Sequence, residues 1–180
     1  LSKVNGGNIE SQNEAIIDGI NSANRQNKTA VSHGMALRDV ANASEGIAIN
    51  YAGYPDKLGE AAAAARALGM DLNKVDAIAS SLLKFESSIS AELEAELLTG
   101  RSLNLEKARE FALMNDMKGV ATELANQGIT SANFSKMNRI QQEAQAKALG
   151  MSRDEMARML LQQEMNKGLS EGALNNAQKA

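Results

Sequence analysis

The sequence predicts an all-α protein, built from elongated helical hairpins or a bundle with short glycine-capped corners and completed by oligomer or partner contacts. No segment shows the sustained alternation of apolar and polar residues that is typical of a β-strand. The string Ala-Leu-Gly-Met occurs twice, at residues 67–70 and 148–151, each time with the pattern of a helix end followed by a new helix. Apolar residues also recur three and four positions apart, most regularly in one stripe that consists of Val75, Ile78, Leu82, Phe85, Ile89, Leu93 and Leu97.

The repeated string predicts two helix corners. Gly69 and Gly150 are 81 positions apart, and each follows an alanine-rich stretch. A glycine just beyond a helix end can adopt positive φ and allow the last carbonyl groups of the helix to be satisfied. Asp71 and Ser152 follow at positions where a side-chain oxygen caps the next helix, and Ser152 with Glu155 makes a capping box. Each unit is therefore predicted to be a helix, a tight corner and a helix, which needs a neighbour to bury its apolar face.

The apolar stripe predicts a long central helix whose apolar side faces protein. Its spacing places the seven side chains on one helix face. The helix is expected to span roughly 26 residues, to end at Thr99 and to be about 39 Å long at ~1.5 Å per residue. Truncation of Phe85 is expected to be among the costliest changes if its ring is buried. Part of the stripe is expected to stay exposed in an isolated chain, because its cover comes from other subunits.

The chain is predicted to have three segments. Residues 1–30 are a polar lead-in, flexible or ordered by a partner, with a weak helix near its end. Residues 31–128 form a helical segment that contains the long central helix, with its clearest break at the only proline, Pro55. Residues 129–180 form a second helical segment that repeats the Ala-Leu-Gly-Met corner. Apart from the long helix, helices are expected at about 14–27, 29 or 32 to 49, 56–68, 104–112, 116–128, 135–149 and 153–166.

The composition favours thin helical layers over a thick globule. The 180 residues include three Phe, two Tyr and no Trp, so the core must consist mainly of aliphatic residues and alanine. The net charge of −3 argues against a dedicated nucleic-acid binder, and no run approaches the ~20 apolar residues of a membrane-spanning helix. The absence of Cys excludes disulfides and thiolate metal sites. Because the chain begins with Leu, we expect a processed protein or an internal piece of a longer one.

The sequence offers no pattern typical of a catalytic, cofactor or metal site, and none is predicted. His33 is the only histidine, which excludes the paired histidines of di-iron bundles and zincins. Glu92 and Glu96 share a helix face, as a pair of glycosidase carboxylates would. Such a pair needs a cleft that desolvates the acid and holds sugar rings, and this chain has few aromatic residues to build one. The preferred interpretation is a solvated face, or a face directed at basic partners.

Two long strings in the later part of the chain resemble tail tape-measure proteins of tailed bacteriophages. The first is Leu82–Arg101 (LLKFESSISAELEAELLTGR), continued by Leu103–Arg109 (LNLEKAR). The second is Met137–Ala144 (MNRIQQEA), together with Lys147–Glu155 (KALGMSRDE). The stretch before them is also compatible with the family, so the resemblance covers roughly residues 38–165.

The resemblance implies a structural, non-enzymatic segment that occupies the tail lumen near the tip, sets tail length and contacts the baseplate hub. The implied partners are further copies of the chain, in a cyclic homo-oligomer that is most plausibly a trimer, and the tail-tube and hub proteins. No specific nucleic acid is expected, and membrane contact is expected only during infection. The implied location is the virion, in the tail lumen close to the baseplate, and the host cytoplasm during assembly.

Two other classes of function stay open. The first is a helical adaptor or chaperone-like module that presents a client-binding groove on its last helix, lined by Met151, Met156, Met159 and Met165. The second is an enzyme that uses the glutamate cluster of the central helix, which consists of Glu86, Glu92, Glu94 and Glu96. A compact monomer that buried the whole apolar stripe would favour the adaptor.

Overall fold

The computed structural model describes residues 8–179, and in this part of the chain it contains eleven α-helices and no β-strand. The predicted all-α class is therefore confirmed. In chain order the helices are α1 (Ile9–Asn27), α2 (His33–Ala41), α3 (Glu45–Asn50), α4 (Pro55–Leu68), α5 (Leu72–Leu82), α6 (Phe85–Thr99), α7 (Glu106–Leu113), α8 (Met117–Asn126), α9 (Ser131–Ser135), α10 (Arg139–Ala148) and α11 (Arg153–Lys179).

Helix α4 lies at the centre of the fold. Its alanine-rich stretch from Leu58 to Ala65 is buried at every position, and α1, α2, α8 and α11 all pack against it. Small side chains allow several helices to approach one axis, which explains why the aromatic-poor sequence still forms a core. The closest approach is to α1, where a Cβ added at Gly19 would overlap the carbonyl oxygen of Asp56 and one added at Gly59 would overlap that of Ile16.

The predicted long central helix is wrong, because the chain breaks between α5 and α6. Helix α5 ends at Leu82, and Leu83 and Lys84 form a turn in which the Lys84 N–H donates to the carbonyl of Ser81 at 3.1 Å. Neither glycine nor proline marks this break, and the three- and four-residue spacing continues across it. Periodicity alone therefore predicted one helix where there are two.

The predicted lead-in at 1–30 is wrong for the described residues. Helix α1 begins at Ile9, capped by the Asn8 side chain, and it buries Ile16, Ile20 and Ala23. Residues 9–27 thus form one regular helix with a face buried within the chain. Residues 1–7 lie outside the described residues.

Three other helix predictions need correction. The helix expected up to residue 49 is divided into α2 and α3. At the break, the Asn73 side chain accepts from the Ser44 N–H at 3.0 Å and donates to the Asn42 carbonyl at 2.9 Å. A capping box at Asn138 starts α10 later than expected, and α11 extends to Lys179. Helix α10 packs against α6, and α11 against α4, so that the segments 31–128 and 129–180 contact each other.

Tyr51 connects two loops of the fold. Its buried hydroxyl donates to the carbonyl of Asn115 at 3.3 Å and accepts from the N–H of Met117 at 3.1 Å, where α8 begins. Burial is the main cause that raises the pKa of Tyr51 to about 12.

We expect Tyr51→Phe to lower the free energy of unfolding by about 1–3 kcal/mol, because it leaves the buried N–H of Met117 without its partner. Urea denaturation measures this difference. Tyr54→Phe is the matched control, since Tyr54 is 63% exposed. An equal effect in the two variants would contradict the role given to the Tyr51 hydroxyl.

Candidate protein-interaction surface

Both predicted corners form, and they have the same hydrogen bonds. Gly69 has φ 95° and Gly150 has φ 73°, as expected for glycines that end helices. The N–H of Met70 donates to the Ala65 carbonyl at 2.9 Å, and the N–H of Met151 donates to the Ala146 carbonyl at 3.0 Å. The two corners thus close the preceding helix in the same way.

The predicted caps after the corners are also confirmed. The Asp71 side chain accepts from the N–H of Lys74 at 2.9 Å. The Ser152 hydroxyl accepts from the N–H of Glu155 at 3.2 Å, and the Glu155 carboxylate accepts from the N–H of Ser152 at 2.9 Å. The second corner therefore has the complete capping box that its sequence predicts.

The two corner units pack against each other reciprocally. A Cβ added at Gly69 would lie 2.5 Å from the carbonyl oxygen of Met159 in α11, and one added at Gly150 would lie 3.6 Å from that of Ile78 in α5. Ile78 and Met159 are themselves equivalent under the 81-residue offset that relates the glycines. In a two-fold interface, each half makes with the other the contact that it receives from it. The two corner units have this relation within one chain. Each unit thus supplies the neighbour that the other needs.

Lys74 and Glu155, which are also 81 positions apart, form an ion pair between the two units. The ammonium of Lys74 is the main cause that lowers the pKa of Glu155 to about 2, and the N–H of Ser152 contributes. Burial acts in the opposite direction and is weaker.

We expect Glu155→Gln to destabilise the chain at neutral pH but not near pH 2. Since the folded pKa of about 2 lies below the ordinary value of 4.5, the carboxylate stabilises the fold above about pH 4.5 and loses this effect as the pH falls towards 2. Urea denaturation at a series of pH values measures the difference between the two proteins. When both proteins also carry Lys74→Met, their difference in free energy of unfolding should depend less on pH. If the difference were constant from neutral pH to pH 2, it would not come from the lowered pKa of Glu155.

The predicted apolar stripe divides at the break between α5 and α6. Its first part, Val75, Ile78 and Leu82, is buried as predicted. Its second part is exposed, and the exposed fractions are 47% for Phe85, 45% for Ile89, 60% for Leu93 and 86% for Leu97. Within this chain Phe85 and Ile89 do not face protein as expected, and the condition for a large cost of truncating Phe85, a buried ring, is not met. The expectation that an isolated chain leaves part of the stripe exposed is confirmed.

Packing against α10 explains why the large side chains of α6 point outwards. The buried residues of α6 are all small, namely Ala91, Ala95 and Ser88, and Ser88 accepts from Arg109 of α7. Small residues allow two helix backbones to approach closely, so that this face packs inwards. The large apolar residues then lie on the other side of the helix. Helix α6 thus has two apolar faces, and the fold covers only the one with small side chains.

Phe85, Ile89 and Leu93 form one wall of an open groove between α6 and α7, and Leu97 lies outside it. Leu113 of α7 and the buried Leu103 add apolar surface to this groove. The rest of its lining consists of Asn104 and five charged residues, namely Glu92, Glu96, Glu106, Arg109 and Glu110. We call this feature the α6–α7 groove.

The two glutamates that suggested an enzyme have structural partners. One Glu92 oxygen accepts from Arg109 at 2.5 Å, and the other accepts from the N–H of Leu105 at 3.0 Å. Glu96 accepts from the N–H of Leu103 at 2.6 Å. Both carboxylates thus hold the chain that leads into α7.

Sequence reasoning missed Arg109, which is buried, pairs with Glu92 and donates to the Ser88 hydroxyl at 3.0 Å. A signal was available. Its spacing from Leu105, Ala108 and Ala112 places Arg109 on the apolar face of α7, where an unpaired charge would be costly.

His33 hydrogen-bonds with the Asn21 side chain at an exposed position. Among the described residues, no group of three or more His, Cys, Asp or Glu side chains could hold a metal ion. Between residues 8 and 179, no helix combines the length and the apolar character needed to cross a membrane.

Comparisons with protein-family models, with curated proteins and with solved structures found no match. The structural observations that bear on function are therefore those of the fold and of the α6–α7 groove.

Proposed function

We propose that the chain is a structural, non-enzymatic segment of a phage tail tape-measure protein. In this role it occupies the tail lumen near the tip, sets tail length and contacts the baseplate hub. The observation that supports it best is the uncovered apolar surface of α6, with Leu93 60% and Leu97 86% exposed. This surface lies inside the string that resembles the family.

The exposed surface of α6 fits a protein whose cover comes from other subunits. Four large apolar side chains of α6 are exposed, and exposed apolar surface of this kind marks protein-interaction sites. Full burial of such a side chain contributes about 1.5–3 kcal/mol, which makes contact with a partner favourable. The proposed partners are further copies of the chain, in a cyclic homo-oligomer that is most plausibly a trimer, together with tail-tube and hub proteins.

The four methionine residues at and after the second corner do not support the alternative of a client-binding adaptor. Met151, Met156 and Met159 are buried in the core, and among the four only Met165 is exposed, at 63%. Their side chains thus fill the interior instead of lining a groove.

The proposal is tested in the phage that encodes the chain. Peptides of the chain should be found by mass spectrometry in purified tails. An in-frame duplication of residues 72–152 should lengthen the tail, by at most about 120 Å if the 81 added residues form one helix at ~1.5 Å each. Substitution of Ile89 and Leu93 by Gln is the control, because it should reduce the yield of tails without changing their length. Absence of the chain from tails, or an unchanged length after duplication, would contradict the proposal.

A further inference from the structure

We propose that the α6–α7 groove binds an amphipathic helix of a different protein, with large apolar side chains on one face and Lys or Arg on both flanks. This inference does not depend on the tape-measure proposal, because it follows from the side chains that line the groove. Within that proposal, it assigns the groove to a hub or tube subunit, and leaves the α6 surface outside the groove, around Leu97, for contacts between copies of the chain.

The apolar part of the groove has the dimensions of a helix-binding site. Phe85, Ile89 and Leu93 follow one another at intervals of four along α6. At ~1.5 Å per residue they span about 12 Å, which corresponds to slightly more than two turns of a partner helix. Leu113 contributes to the opposite wall. A helix with apolar residues at every third or fourth position fits such a surface.

The charge of the groove selects a basic partner. Its lining contains four carboxylates and one guanidinium, so that the groove has an excess of negative charge. Arg109 pairs with Glu92. Neither Glu106 nor Glu110 takes part in an ion pair among the described residues, and both are exposed. Lys or Arg on the flanks of a bound helix would meet these carboxylates.

The same charge disfavours other occupants of the groove. A second copy docked through its own groove would bring Glu106 and Glu110 close to the same carboxylates, and like charges across an interface are unfavourable. Anionic lipid surfaces and nucleic-acid phosphates would be repelled for the same reason.

Two synthetic peptides test the proposal against the full 180-residue chain. Each is a helix of about 18 residues, long enough to cover the groove, with Leu at every third or fourth position. One peptide has Lys on both flanks, and the other has Glu at the same positions. Fluorescence anisotropy should give a Kd at least about tenfold lower for the Lys peptide, and the difference should shrink as salt is raised from about 50 to about 300 mM.

Variants of the chain locate the binding site. Ile89→Gln with Leu93→Gln should weaken binding of the Lys peptide at least about tenfold. Glu106→Gln with Glu110→Gln should reduce the preference for the Lys peptide while the apolar contacts remain. The matched control is Leu161→Gln with Met165→Gln, two exposed apolar residues of α11 outside the groove, and it should leave both Kd values unchanged. Circular dichroism verifies that each variant keeps its helix content.

Several results would overturn the proposal. They are a lack of binding by either peptide, equal binding by both, and equal weakening in the α11 control. Sedimentation velocity that shows a dimer of the free chain, lost with Ile89→Gln and Leu93→Gln, would assign the groove to a second copy. Binding to phosphatidylserine vesicles that the same variant abolishes would assign it to a membrane.

Discussion

Gly19→Ala and Gly59→Ala are each expected to lower the free energy of unfolding by about 2–3 kcal/mol, despite the better helix propensity of alanine. Each added methyl group would overlap a backbone carbonyl oxygen of the facing helix, that of Asp56 or that of Ile16. A backbone atom cannot turn aside as a side chain can, so α1 and α4 must move apart and lose packing along their contact. Urea denaturation monitored by circular dichroism measures the loss.

Gly34→Ala is the matched control for these two variants. Gly34 also lies in a helix, but the nearest atom to its added Cβ is the Ser32 hydroxyl oxygen at 3.8 Å. Alanine there should be neutral or stabilise the chain by up to about 1 kcal/mol. If all three variants had the same effect, the close approach of α1 and α4 would not limit stability.

Gly69→Val is expected to cost about 3 kcal/mol or more, from two additive causes. The left-handed conformation at φ 95° costs a β-branched residue about 1–2 kcal/mol or more. Contact with the Met159 carbonyl oxygen, 2.5 Å from the added Cβ, forces α4 and α11 apart and adds about 1–3 kcal/mol. Thermal or urea denaturation measures the sum.

Substitutions at two other glycines distinguish the conformational cost of positive φ from the cost of contact with a facing helix. Gly53 has φ 85° with no atom within 4 Å of an added Cβ, so Gly53→Val should show the conformational cost alone. Gly150→Val should lie between them, because its nearest neighbour is the Ser81 side chain at 3.0 Å. Equal losses at Gly53 and Gly69 would mean that the first corner does not pack against α11 as described.

The features that the sequence predicted correctly are those that local chemistry determines. Positive φ at Gly69 and Gly150 and the caps at Asp71 and Ser152 involve residues within one or two helical turns of each other. Their residue types therefore predict them without knowledge of the rest of the fold. The burial of Val75 follows in the same way from helical spacing.

The features that the sequence did not predict depend on distant residues. Helix α6 has two apolar faces, and the presence of α10 decides that Ala91 and Ala95 are buried while Leu93 is exposed. The close approach at Gly59 requires α1, which was not expected to be a packed helix over its full length. For the candidate surface, the apolar residues were thus predictable, but their exposure and the groove with α7 were not.

The 81-residue offset between the two corner units has a consequence for synthesis of the chain. Lys74 leaves the ribosome well before Glu155, and at ~5–20 residues per second the delay is about 4–16 s. During this interval the first unit has no α11 to cover Gly69 and Leu68, so its core face is open while the chain is still growing. Nascent chains on successive ribosomes of one messenger would then expose their first corner units during overlapping intervals. The newly made protein should accordingly be most prone to pair with a neighbouring chain, or to require a chaperone, just before its last helix emerges.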